Sequence, residues 1–140
     1  DYIRENGVPV KPGLRELLAW LKQAHILCAV ATSTFTNVAI GYLKNAGVLN
    51  CFAAIVGGDQ VTKSKPDPEI FQLAMRALGK QTPETCVVFE DSRNGLLAGA
   101  NGGFPVIVVP DLFDPTLELP GLCYAKCARL DEAIDVIQNS

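Results

Sequence analysis

Glu90 and Asp91 are adjacent carboxylates in the stretch VVFEDSRNG, where an apolar run gives way to a helix-like segment. Two hard oxygen donors at such a junction suit Mg²⁺, and in an open α/β sheet ligands sit beyond the carboxyl ends of the strands. The same residues admit a plainer reading, in which Asp91 or Ser92 merely caps the helix that starts near Arg93. Taken alone, the stretch supports both.

Two more polar positions follow apolar runs of strand length. Thr32 and Ser33 come directly after Ile26–Ala31, and Lys65 lies in the polar loop after Phe52–Val56. A hydroxyl at an amide-rich helix start can hold a phosphate oxygen, a lysine can neutralise its charge, and carboxylates can hold the Mg²⁺ that bridges it. Singly, Thr32 reads as an ordinary strand end and Lys65 as a solvated loop lysine. Their order, each just beyond a successive strand, places all of them on one edge.

The elements that must position these residues follow from hydrophobic periodicity. Leu14, Leu17, Leu18 and Leu21 mark one face of a helix of about ten residues. Ile26–Ala31, Phe52–Val56, Cys86–Phe89 and Val106–Val109 are unbroken apolar runs, and Leu122–Tyr124 adds a short edge strand. Between them lie a helix carrying Ala39, Tyr42, Leu43 and Ala46 and closed by Gly47, and one opening at Asp67-Pro68-Glu69 with Ile70, Phe71, Ala74 and Leu78 inward. A helix from about Ser92 to Ala100 and a last one with Leu130, Ala133, Ile134 and Ile137 complete the alternation. Apolar strands alternating with helices predict an α/β fold with a parallel sheet covered on both faces.

The length of 140 residues suits one ordinary domain, and a hydrophobic content of 49% can fill its core. A net charge of −3 without any Lys/Arg run leaves no footprint for nucleic acid or an anionic membrane, so phosphate binding has to be local. No apolar stretch reaches the ~18 residues of a membrane span, and DYIRENG does not have the pattern of a signal peptide. Five cysteines without a CxxC pair read as reduced thiols in a cytoplasmic protein. Cys123 and Cys127 lack the further ligands a metal site needs, and His25 reads as a turn residue.

With these segments in place, the chain closely resembles the haloacid dehalogenase (HAD) superfamily, in particular its phosphatases and mutases with a small helical cap. ILCAVATST is similar to the family's second motif, KSKPDPEIF to the third and VVFEDSRNG to the fourth. The resemblance implies that Thr32 and Lys65 are catalytic, that Thr32, Ser33 and Lys65 bind phosphate, that Asp91 ligates Mg²⁺ directly, and that Glu90 is mainly a water-mediated partner of the ion. It implies a Rossmann-like three-layer core, a small phosphorylated metabolite as substrate and an aspartyl-phosphate intermediate. The alternatives it leaves open are a sugar-phosphate mutase of the β-phosphoglucomutase type and a non-catalytic HAD-like binding domain.

One departure stands out. The family's first motif, a DxD that supplies the nucleophile, does not occur in these residues, and Asp111 and Asp114 have the wrong spacing to replace it. GVPVKPG is similar to the linker that returns from the cap to the core. On that resemblance residues 1–13 are the end of the cap and the linker, and 14–140 are a core lacking its first, central strand, with a missing N-terminal segment of the same protein as its partner. Strand order 3-2-1-4-5 would then leave Ile26–Ala31 and Cys86–Phe89 either separated by a gap or collapsed into direct pairing.

Overall fold

The computed structural model describes residues 12–110, 114–119 and 121–139. Most of the expected cap end and linker, residues 1–11, and Asp111 lie outside them. Helix α1 spans Leu14–Gln23 and buries Leu14, Leu17, Leu18 and Leu21, the stripe expected from their spacing. Each such leucine withdrawn from water contributes roughly 1.5–3 kcal/mol. Gly13 precedes the helix at φ +87°, a left-handed conformation that strains any residue with a Cβ, and Asp131 packs directly against it. His25 also has positive φ, 57°, as befits the turn that follows α1.

Strand β1 (Ala29–Ala31) leads to α2 (Thr36–Asn45), β2 (Ala54–Val56), α3 (Glu69–Ala77), β3 (Val88–Glu90), α4 (Arg93–Asn101), β4 (Val106–Val108), β5 (Ala125–Lys126) and α5 (Ala133–Gln138). Among the described residues every strand pairing is parallel: Val30 faces Ile55, Phe89 faces Ile107, and Ile107 also faces Ala125. The edge strand expected at Leu122–Tyr124 is displaced to Ala125–Lys126, because Leu122 and Tyr124 are exposed and Ala125 is the residue in register with β4. The helix expected to begin at Pro68, with Asp67 as its capping side chain, starts one residue later at Glu69, and Asp67 accepts the Glu69 amide at 3.0 Å.

Strands β1 and β2 form one sheet and β3, β4 and β5 another; among the described residues no ladder joins β1 to β3. An apolar cavity of about 440 Å³ separates the two, lined on one side by Ala29, Val30 and Ala31 and on the other by Val88 and Phe89. Of the two expected arrangements the gap is therefore the one observed. Two apolar clusters cover the two faces of this divided sheet. One joins α1 and α5 residues to Val30, Leu43 and Ile107, and the other joins α3 and α4 residues to Val56, Val88 and Val106. The architecture is a three-layer α/β fold. No described helix is long and apolar enough to cross a membrane, and all five cysteines are free thiols.

Candidate active site

The carboxyl ends of β1, β2 and β3 carry the residues singled out above. Thr32 follows β1 directly and is 7% exposed. Its amide donates to the Val56 carbonyl at 3.0 Å, and its hydroxyl accepts the Thr34 amide at 3.2 Å. The β1–α2 turn containing Ser33 is thus tied both to itself and to the end of β2.

Lys65 arrives from the loop between β2 and α3. That loop is held by Glu69, whose carboxylate accepts the Thr62 and Lys63 amides at 3.0 and 2.9 Å. These amide hydrogen bonds, Thr62 first, hold the Glu69 carboxyl below the usual carboxylate range. On its other side the loop is pinned by Asn101, which donates to the Pro66 carbonyl at 3.2 Å; the Lys65–Pro66 peptide is cis. The Lys65 ammonium meets Glu90 Oε2 at 2.6 Å and lies 5.0 Å from the centre of the Phe71 ring. An aromatic face attracts a cation at this separation.

Glu90 is the last residue of β3 and is only 1% exposed. Besides Lys65, it accepts the Asp91 amide at 3.3 Å and the Ser92 hydroxyl at 3.2 Å. Ser92 caps α4 by accepting the Gly95 amide at 3.0 Å. Gly95 itself is required for space, since a Cβ there would overlap the Glu90 carboxyl group. At VVFEDSRNG Ser92 caps the helix, while Glu90 turns back towards Lys65. Asp91, half-buried, stands between them. With Lys65 side chains at 8% and Glu90 at 1% exposure, a buried ion pair is built into the sheet edge.

The contacts bring Lys65 to Glu90, with Asp91 next in the chain, and Thr32 and Ser33 follow β1, on the other side of the cavity from β3. Among the described residues no three His, Cys, Asp or Glu side chains form a cage for a metal. Hard oxygen donors are nevertheless present at Asp91 and Glu90, and Mg²⁺ is commonly held by one or two carboxylates with water and substrate oxygens completing the shell.

Thr36 and Asp59 escaped the reading of the sequence. Asp59 Oδ1 accepts the amide of Thr36, the first residue of α2, at 2.7 Å and its hydroxyl at 2.8 Å. The Thr36 hydroxyl bond, with the amide bond beside it, holds the Asp59 carboxyl below its usual range. The available signal was the glycine pair Gly57-Gly58 immediately after a strand, a pattern that marks close backbone approach.

Comparison with known proteins agrees with this architecture. The family profile described as haloacid dehalogenase-like hydrolase matches residues 1–103. A phosphorylated carbohydrates phosphatase of Thermotoga maritima is 42% identical over 103 residues, covering 74% of this chain and 45% of its own length. A crystal structure of a CbbY variant from Rhodobacter sphaeroides in complex with xylulose 1,5-bisphosphate superposes with a TM-score of 0.78 at 34% identity, over 88% of this chain and 55% of that one. β-Phosphoglucomutase from Clostridium difficile shares the fold, with a TM-score of 0.81 at 23% identity, over 98% of this chain and 57% of that one. The chain thus spans about half the length of the proteins it matches. A parallel α/β core with this edge, matched by the family profile over most of its length, belongs to the haloacid dehalogenase-like hydrolases.

Proposed function

We propose that the complete protein is a Mg²⁺-dependent phosphohydrolase of small phosphomonoesters such as sugar phosphates, acting through an aspartyl-phosphate whose nucleophile lies outside these residues. The observation that carries this reading is the buried Lys65–Glu90 pair, next in the chain to Asp91 at the carboxyl end of β3, as Thr32 is at the carboxyl end of β1. An ammonium held this firmly in a desolvated position is a preorganised counter-charge for a phosphoryl group. The names of the relatives favour the same substrate class, one being a phosphatase of phosphorylated carbohydrates and another having been crystallised with a sugar bisphosphate.

In this reading the nucleophilic aspartate forms a bond to phosphorus as the ester oxygen leaves, and water then hydrolyses the aspartyl-phosphate. Lys65 donates to the phosphoryl oxygens and balances their developing charge. The Thr32 hydroxyl and Ser33 fix their orientation. Asp91 would hold the Mg²⁺ directly, with Glu90 acting mainly through water because its carboxylate already faces Lys65. The bound ion would supply Lewis-acid neutralisation of the phosphoryl group. The nucleophile would enter on a segment of the same protein that pairs between β1 and β3, for which the apolar cavity and the two separate sheets provide the room.

The test is phosphate release from a panel of sugar phosphates by the purified complete protein, with and without Mg²⁺. Lys65→Met should lower kcat/KM by at least about 100-fold, and Thr32→Ala should do less. Unaltered turnover in the Lys65 variant would refute the assignment. An isomeric sugar phosphate formed without free phosphate would assign a mutase instead, and binding without any turnover would assign a non-catalytic domain.

A further inference from the structure

From the interlocked loops at the ends of β1 and β2, we infer that Asp59 and Thr36 are positioning residues for the phosphate-binding turn Thr32–Thr34. The inference rests on the function proposed above. The turn is short and polar, and two of its backbone groups depend on β2 and the loop beyond it. The Thr32 amide donates to Val56 at 3.0 Å, and the Thr34 carbonyl accepts the Gly58 amide at 2.8 Å. What locks the two loops together is a hub on Thr36.

The Thr36 hydroxyl donates to Asp59 at 2.8 Å and accepts from the Gly57 amide at 3.2 Å and the Gln60 amide group at 2.7 Å. Gln60 also donates to the Ile55 carbonyl at 3.3 Å, which ties the hub to β2. The residue in the capping position of α2, Phe35, makes no side-chain cap, so Asp59 supplies from the neighbouring loop the acceptor that a helix start usually finds in its own chain.

The two glycines show how close this fit is. Gly57 has φ −99° and ψ 171°, an extended conformation open to any residue, so its backbone angles do not demand glycine. A Cβ at Gly57 would instead strike Thr36, and one at Gly58 would strike the Ser33 carbonyl. Both glycines permit contact between the loops. The contact bears on the residue that follows Thr32, so a displacement of the Asp59 loop is passed to the phosphate-binding turn. Small misplacements of groups that orient a reacting phosphate cost large factors in rate.

The experiment compares Asp59→Ala, Asp59→Asn, Thr36→Val and Thr36→Ser in the complete protein, well below the melting temperature, by kcat, KM and the inhibition constant of inorganic phosphate. Loss of the clamp should lower kcat/KM by about 10–100-fold and weaken phosphate inhibition in Asp59→Ala and Thr36→Val. Asparagine and serine retain the acceptor and the hydroxyl, and should each recover at least about fivefold over the disruptive change at the same position. A residue serving only to cap α2 would lower the melting temperature and leave the phosphate constant alone. If Asp59→Ala does not fold, the Thr36 pair decides in the same way. Phosphate inhibition and kcat/KM within about twofold of the parent in Thr36→Val would overturn the inference. The Lys65→Met variant separates the two proposals: activity lost there but kept in Thr36→Val sinks only the clamp, whereas activity kept in both sinks the site itself.

Discussion

Gly95→Ala isolates the packing of Glu90 against α4. In a helix interior, alanine normally gains roughly 0.5–1 kcal/mol over glycine through its smaller loss of backbone freedom. At Gly95, however, the new methyl would occupy the space of the Glu90 carboxyl group. Glu90 would have to leave, taking with it the 2.6 Å contact to Lys65 and the acceptor for Ser92. Breaking a buried pair costs about 3–5 kcal/mol, so the net change should be a loss of about 2–4 kcal/mol. With a urea dependence of about 2 kcal/mol per molar, the unfolding midpoint should fall by about 1–2 M. Gly41 in α2 is the matched control, since nothing lies within 4 Å of a Cβ built there. Gly41→Ala should raise the midpoint by about 0.2–0.5 M. Far-ultraviolet circular dichroism of the complete protein reads both. If Gly95→Ala matched Gly41→Ala in sign, Glu90 would not be packed over the first turn of α4 in the way described.

Burial, with Cys51 nearby, pushes the Cys28 thiol up to about 11, whereas Cys51 is exposed; at pH 8 iodoacetamide should therefore modify Cys51 well before Cys28, as mass spectrometry of the peptides will show. A raised thiol pKa favours the folded state below the unfolded value and is lost as pH rises, so Cys28→Ser should flatten the decline in stability between pH 9 and about 11. The Thr116 hydroxyl, with Lys126 beside it, holds Asp114 below the usual carboxylate range. Its NMR titration should therefore fall below that of an ordinary aspartate, and Thr116→Ala should move it upward; an unmoved midpoint would remove the hydroxyl as the cause.

Helices were the most legible elements because burial repeats with their own period, as Leu14 to Leu21 show in α1. Strands were overread at their beginnings. Ile26 and Leu27 belong to an apolar run, yet they are exposed at the mouth of the cavity, and the Ile26 amide is taken by the Leu21 carbonyl at the end of α1. Backbone contact with β2 begins only with the Cys28 carbonyl, which accepts the Ala53 amide, and the ladder itself at Ala29. At the site, the identities of Thr32, Lys65, Glu90 and Asp91 could be picked out because each follows an apolar run. The 2.6 Å meeting of Lys65 with Glu90 could not, because it joins residues from separate loops and depends on the absence of a side chain at Gly95. The hub of Thr36 and Asp59 was hidden for the same reason: the glycine pair before Asp59 marks a close approach without naming its partner, and only the contact with Thr36 gives it meaning.

The divided sheet also writes itself into the exchange rates of individual amides. The Ala53 amide donates to the Cys28 carbonyl and the Thr32 amide to the Val56 carbonyl, which fixes which backbone groups of β1 point to β2, and by the two-residue period of a strand those of Ala29 and Ala31 point the other way, towards the cavity. On β3, Val88 and Glu90 bond to the β4 side, which turns Phe89 towards the same opening. Three amides from two distant parts of the chain therefore form a natural reporter. Their hydrogens should exchange quickly while the opening is wet and slow together, by orders of magnitude, once an extended segment pairs there, while Val30 and Val88 on the paired sides barely change.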